Sequence, residues 1–289
     1  MKLGIHLSTF TPGWGDDVLP FIDTAAQIGY DAVEIPLMYP DAFDAAGARQ
    51  RLREHHLACT CGTGLNPAED ISSLDADIRR KGMERLLRCT QLCEELGSDC
   101  LGGVLYAPWG LRTPRTQFAA NRAWAVECLR SVADQAAHRG VTLSLEVLNR
   151  YESSFVNTIA EGRQLLAEIG CRNVRLHFDT FHAHIEEKNL AQAIRAGGAD
   201  IFHVHLCDNN RGAPGSGAID FDAVLDALRE IGYTRYLMVE NFVVPDCEAG
   251  SEVCVWRREF ASPQEDAVQA YRYISGLMRR KGIRECETV

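Results

Sequence analysis

The sequence predicts a single (β/α)8 barrel over residues 1–289. Eight short β-type runs alternate with helical runs along the whole chain. Strict alternation argues for a parallel sheet, and eight units argue for its closure into a barrel. The length of 289 residues is large for an ordinary domain but usual for this architecture. No composition shift, low-complexity segment or linker divides the chain. A doubly wound open sheet is the alternative. Its Gly-rich phosphate turn is absent after the first strand, where Ser8-Thr-Phe-Thr-Pro-Gly-Trp14 stands instead.

In chain order, β-branched and alternating runs place strands at Lys2–Leu7, Asp31–Pro36, Leu57–Gly62, Cys100–Leu105, Thr142–Val147, Val174–Asp179, Phe202–Leu206 and Tyr236–Asn241. Helices are expected between them, at Asp17–Ile28, Ala45–His55, Leu74–Leu96, Gln117–His138, Ile159–Ile169, Leu190–Ala196, Phe221–Ile231 and Pro263–Lys281. Thr158-Ile-Ala-Glu161 reads as a capping box that opens the fifth helix. Gly29, Gly97, Gly140, Gly170 and Gly232 each follow a helical run, the place for a left-handed terminating residue. Two connections are long: Tyr106–Thr116, with Trp109 and two prolines, and Phe242–Ala261, with Trp256. Both fall on the C-terminal rim, where barrel enzymes build their sites. Trp124 fits the apolar face of its helix and is expected in the core.

Composition narrows the function. A hydrophobic content of 46% supports a full core, and 24% charged residues a solvated surface. The net charge of −10 disfavours nucleic acid, which needs clustered Lys and Arg, and suits a small neutral or cationic ligand. The 11 cysteines are odd in number and scattered, and Cys59-Thr-Cys61 has no second close pair to complete a zinc framework. They read as reduced, mostly buried thiols of a cytoplasmic protein. The opening Met-Lys-Leu-Gly-Ile-His-Leu lacks a long apolar region, so no signal peptide is expected, and no run approaches a membrane span.

Chemistry concentrates in Val174-Arg-Leu-His-Phe-Asp179-Thr-Phe-His182-Ala-His-Ile-Glu186, a strand that ends in a carboxylate followed three residues later by an imidazole. Three other predicted strand ends offer Glu146, His205 and Glu240. In a closed barrel the ends of strands five to eight form an arc on one rim. Three carboxylates at close quarters repel one another and take up protons unless a cation neutralises them. Three oxygen donors and one imidazole suit Mn2+, Mg2+ or Co2+ better than a thiolate-rich zinc site. Each residue alone has an ordinary reading: a terminal Glu at the surface, or His203 or His205 as a hydrogen-bonded core histidine. Four such residues at matching strand ends are much less readily accidental. Downstream, Asp208-Asn-Asn-Arg211-Gly-Ala-Pro-Gly215-Ser-Gly217 imposes a tight loop from which Arg211 can aim at a metal-bound oxygen. A solvated turn with an exposed Arg is the blander reading, and the residues alone lean towards it.

These motifs carry a resemblance. Leu145-Glu146-Val-Leu-Asn149-Arg150-Tyr-Glu152, Phe178-Asp179-Thr-Phe-His182-Ala-His-Ile-Glu186-Glu187, His203-Val-His205 with Asn210-Arg211 and Pro214-Gly-Ser-Gly217, and Val239-Glu240-Asn-Phe242 together resemble the ketose 3-epimerases that act on D-tagatose, D-allulose (psicose) or L-ribulose. Those enzymes belong to the xylose isomerase-like barrel superfamily, and the likeness runs over nearly the whole chain. It implies Glu146, Asp179, His205 and Glu240 as ligands of Mn2+, with Co2+ or Mg2+ as substitutes, and Glu146 and Glu240 as paired acid/base residues. It implies Glu152, His182 and Arg211 as the side chains that hold the O1 and O2 end of a free ketose. The expected activity is inversion at C3 of a ketohexose or ketopentose through a cis-enediolate, in a homodimer or homotetramer.

The chain departs from the resemblance at Cys207-Asp208, at His6 where an aromatic is often found, and in Tyr106-Ala-Pro-Trp109-Gly-Leu-Arg112. These positions are expected to face the far end of the sugar, with Trp14 and Trp109 covering its apolar face. Trp256, in a charged run, is expected at a subunit contact. Rival readings are an aldose–ketose isomerase or hydroxypyruvate isomerase on the same metal, a three-zinc DNA endonuclease, and an inactive sugar-binding barrel. The endonuclease needs more histidines and a basic face. Phosphorylated substrates lack a Gly-rich anion loop here.

Overall fold

The computed structural model describes residues 1–283, so the last six positions of the expected domain lie outside the described residues. Within them, parallel strands close into one barrel in sequence order: β1 Lys2–His6, β2 Ala32–Pro36, β3 Ala58–Leu65, β4 Cys100–Pro108, β5 Thr142–Glu146, β6 Val174–Asp179, β7 Ile201–Leu206 and β8 Tyr236–Val239. Strand β8 pairs with β1 through Lys2↔Tyr236 to Ile5↔Val239, so no strand is left as an edge and the open-sheet alternative is excluded. Around the barrel run α1 Pro20–Ile28, α2 Ala45–Glu54, α3 Ala76–Leu96, α4 Phe118–His138, α5 Ile159–Ile169, α6 Thr180–Glu186, α7 Leu190–Gly197, α8 Phe221–Glu230, α9 Glu248–Glu252 and α10 Pro263–Arg280.

The strand period of two separates two environments. Leu3, Ile5, Val33, Ile35, Leu143 and Leu145 are fully or almost fully buried in the apolar layer between sheet and helices. Their alternates Glu34, Thr60, Ser144, His177 and His203 are also buried but polar. Barrel interiors are usually filled by branched apolar side chains. A polar interior of this kind has to satisfy its own hydrogen bonds or hold a ligand.

Local signals explain most boundaries. The Thr158–Glu161 capping box is formed in both directions, and Gly29, Gly97, Gly140, Gly170 and Gly232 all have positive φ. Helix α1 begins at Pro20, later than expected, because proline suits the first turn; Asp17 instead accepts the Leu19 N–H at 3.0 Å. Strands β3 and β4 stay paired past a register shift between Gly64 and Leu65, so Tyr106–Pro108, expected as loop, is strand. The periodicity called for no element over Thr180–Glu186, which forms α6. Trp124 is only half-buried, with the Arg79 guanidinium 3.7 Å above its ring, which corrects its expected place in the core. The ten cysteines of the described residues are free, and most are buried. No helix among the described residues is long and apolar enough to cross a membrane.

Candidate metal centre

The C-terminal mouth of the barrel opens into a cavity of about 560 Å³ lined by His6, Glu34, Glu146, His182, His205, Arg211 and Glu240 among others. At its floor, ligand atoms of Glu146, Asp179, His205 and Glu240 all lie within 4.8 Å of one another. The strand register produces this meeting. Asp179 on β6 pairs with His205 on β7, Glu146 on β5 pairs with His177 on β6, and Glu240 follows β8 with its N–H on the Leu206 carbonyl at 3.2 Å.

Asp179 divides its two oxygens between structure and site. Oδ1 caps α6 by accepting the N–H groups of Phe181 (2.6 Å) and His182 (3.2 Å). Oδ2 is buried and has no hydrogen-bond partner among the described residues. His205 divides its nitrogens in the same way. Nε2 lies 3.0 Å from Glu34 Oε2, whereas Nδ1 has no hydrogen-bond partner among the described residues and sits 3.4 Å from Glu240 and 3.9 Å from Asp179 Oδ2.

Two orphaned, buried polar atoms facing two further carboxylates are what a cation relieves. Without one, burial and then the charge of Glu240 push the Glu146 carboxyl well above the usual range. Burial pushes Glu240 up as well, but His205, His6 and Arg211 outweigh it and hold it at about 2. The donor set of three carboxylates and one imidazole fits a divalent metal.

The rest of the mouth is a linked set of polar side chains. Arg211 has φ of 65°, is 4% exposed, and stacks its guanidinium 3.9 Å from the Phe181 ring centre. Its Nη2 lies 3.3 Å from both oxygens of Glu152, and Nη1 lies 3.7 Å from Glu240. The solvated-turn reading of Arg211 is therefore overturned. Nε and Nη1 have no hydrogen-bond partner among the described residues, which leaves donors for a ligand oxygen. Glu152 also accepts from Trp109 Nε1 (2.9 Å) and Asn149 Nδ2 (2.8 Å). Burial raises its carboxyl, and Arg211, His182 and these donors more than offset it, leaving it below the usual range. Asn149 Nδ2 is also 2.8 Å from His182 Nδ1, which turns the other ring nitrogen towards Glu146 at 3.7 Å.

Trp14 and Trp109 both line the cavity and pack on the small apolar cluster of Phe242, Ala249 and Val253. His6 lines the cavity beside Glu240, 3.9 Å away. One expectation is corrected. Cys207 and Asp208 do not line the cavity. Asp208 is buried beneath the loop, accepting the N–H groups of Asn209, Gly215, Gly217 and Ile219 at 2.8–3.2 Å. A Cβ on Gly217 would lie 2.2 Å from Asn209 Oδ1 and 2.5 Å from Asp208 Oδ1, so a larger residue would force these two side chains out of their hydrogen bonds.

The sequence reading missed Glu34, which is 1% exposed and contacts both His203 and His205. The available signal was a lone carboxylate in the apolar run Ala32-Val-Glu-Ile-Pro36, since Glu is almost never buried unpaired. Phe181, the platform for Arg211, was missed as well.

Residues 22–271 match the xylose isomerase-like TIM barrel family. The chain is 36% identical over 277 residues to an L-ribulose 3-epimerase of Methylomonas sp. (strain DH-1), covering 95% of this chain and 96% of that one. It is 32% identical to a D-psicose 3-epimerase of Agrobacterium fabrum, covering 94% and 98%. A crystal structure of D-psicose 3-epimerase in the presence of D-fructose superposes with a TM-score of 0.91 at 31% identity, over 96% of this chain and 99% of that one. With the barrel, the metal-binding quartet and these likenesses together, the chain belongs to the ketose 3-epimerases of the xylose isomerase-like TIM barrel family and is an isomerase.

Proposed function

We propose that the protein inverts C3 of a free ketohexose or ketopentose, reversibly, with Glu146 and Glu240 as its two acid/base groups. The observation that carries this reading is the convergence of these two carboxylates with Asp179 and His205 in one cavity. A divalent cation held by the four, Mn2+ with Co2+ or Mg2+ as substitutes, supplies the pull on the C2 carbonyl that acidifies the C3 proton. Glu152, His182 and Arg211 hold the O1 and O2 end of the sugar. One glutamate removes the C3 proton, and the other returns a proton to the opposite face, because a single carboxylate cannot easily reach both faces of a held sugar. Arg211 stands where negative charge develops on the cis-enediolate. Trp14 and Trp109 shield the apolar face from water, and His6 lines the cavity beside Glu240. The names of the relatives, L-ribulose and D-psicose 3-epimerases, support a ketopentose or ketohexose over a phosphorylated sugar.

The test is chelator-treated protein, resupplied with Mn2+, on fructose, tagatose, allulose, sorbose, ribulose and xylulose in D2O. The expected result is a new ketose carrying deuterium at C3, and no turnover before Mn2+ is added. An aldose product points to the isomerase alternative and overturns the reading. We also place the protein in the cytoplasm as a homodimer or homotetramer, with Trp256, 65% exposed, at a subunit contact. A monomer in sedimentation removes that last assignment.

A further inference from the structure

Below the quartet lies a second buried layer that the proposed reaction does not use. Glu34 reaches in from β2 and places a single oxygen, Oε2, against three donors on other strands. His203 Nε2 is 2.6 Å from it, His205 Nε2 3.0 Å, and Thr60 Oγ1 3.2 Å. Room for the carboxylate comes from a neighbouring strand, since a Cβ on Gly62 would stand 2.8 Å from Glu34 Oε1. An ionised carboxylate only accepts hydrogen bonds, so the ring nitrogen facing it has to carry the proton. In a neutral imidazole the other nitrogen is then bare. For His205 that bare atom is Nδ1, the orphan that faces Glu240 and Asp179.

We infer that Glu34 is a positioning residue of the metal centre: it holds His205 as the Nε2–H tautomer with its Nδ1 lone pair aimed at the ion, and it sets a full negative charge behind that ring. His203 braces the arrangement by sharing the same oxygen. Carboxylate–histidine–metal relays fix the orientation of the ligand and raise its basicity, and their loss costs about 10–100-fold in metal affinity or activity. The inference rests on the quartet holding a divalent ion. Its rival in the same layer is a second ion between His177, His203 and His205, whose ligating atoms also lie within 4.8 Å of one another. Glu34 stands outside that trio and takes the Nε2 protons of His203 (2.6 Å) and His205 (3.0 Å), which leaves His205 only Nδ1 to offer, and Nδ1 faces Asp179 and Glu240 instead.

The test uses the full chain. Mn2+ is titrated into chelator-treated wild type and Glu34→Gln, with free ion read by electron paramagnetic resonance and bound ion counted per chain. Thermal unfolding of both apoproteins is recorded in EDTA. The expected result is one ion per chain in the wild type and a dissociation constant about 10–100-fold weaker in a folded Glu34→Gln. An unchanged constant in a folded variant overturns the inference while leaving the proposed function standing. Two ions per chain in the wild type, falling to one in the variant, overturns it in favour of the second site. A wild type that takes up no ion removes the proposed function and this inference together. Should Glu34→Gln fail to fold, ring-nitrogen NMR of the wild type loaded with diamagnetic Mg2+ decides. The His205 signal, assigned by its loss in His205→Asn, is expected as Nε2–H, and an Nδ1–H ring overturns the inference.

Discussion

Glu146 and Glu240 bring ligating oxygens within 4.8 Å of each other at the barrel mouth, yet their surroundings drive them in opposite directions. Burial and the charge of Glu240 raise Glu146, while His205, His6 and Arg211 overcome burial at Glu240 and hold it at about 2. Both carboxylates line the same cavity, the placement that a pair of acid/base groups working on one bound sugar requires. Glu146→Gln and Glu240→Gln are each expected to lose at least about 10²-fold in kcat, the scale of positioned acid/base catalysis, and to bind Mn2+ more weakly. Steady-state rates at saturating Mn2+ separate the two losses. Near-wild-type epimerisation by either variant ends the two-base scheme.

Arg211 offers a different measure. Its planar fork is clamped by Glu152 and stacked on Phe181, leaving Nε and Nη1 for the sugar. A lysine keeps the charge but neither the fork nor the stacking. Arg211→Lys is expected to lower kcat by about 10²–10³-fold, the effect of removing a donor aimed at developing charge, with Mn2+ affinity nearly unchanged. A loss confined to KM would mean that the guanidinium serves ground-state binding alone.

The loop that aims Arg211 depends on Asp208, whose carboxylate gathers the N–H groups of Asn209, Gly215, Gly217 and Ile219. Asp208→Ala leaves those buried or half-buried donors without their acceptor. It should cost roughly 2–4 kcal/mol in denaturant unfolding and lower turnover more than it weakens Mn2+ binding. Full activity in a destabilised variant would show that the loop needs no such anchor.

The barrel was legible because eight short β-type runs alternate with helical ones and five of the helices are followed by a glycine with positive φ, both local signals. The quartet was legible for a related reason: Glu146, Asp179, His205 and Glu240 all fall at strand ends, and barrel closure converts that spacing into proximity. Glu34 was legible only as a carboxylate inside an apolar run, because its partners His203 and His205 lie 169 and 171 residues away and no local pattern points to them. Helix α6 has seven residues, too few to show a period, and is started by an aspartate that is also a candidate ligand. The direction of Arg211 follows from a positive φ and from acceptor geometry within its loop, neither of which hydrophobic patterning encodes.

Asp266 on α10 links the two segments that carry the site. It accepts the Ala213 N–H at 2.8 Å, two residues beyond Arg211, and the Asn241 side-chain amide at 2.6 Å, next to Glu240. Burial lifts its carboxyl to about 7 despite both donors. A carboxyl raised in the folded state binds its proton more tightly there than in the unfolded chain. Its stabilising contribution is therefore complete below about pH 4, fades as pH rises towards 7, and is gone above that. At about 1.4 kcal/mol per tenfold in proton affinity, the ceiling is roughly 4 kcal/mol. Asp266→Asn stays neutral throughout and keeps an acceptor for Ala213, while Asn241 can turn its amide so that Oδ1, unpartnered among the described residues, faces the new NH2. The stability of Asp266→Asn relative to wild type, from denaturant unfolding at fixed pH, should therefore rise between pH 5 and 8. A difference that does not change with pH would mean that Asp266 is ionised throughout and held by its two donors alone.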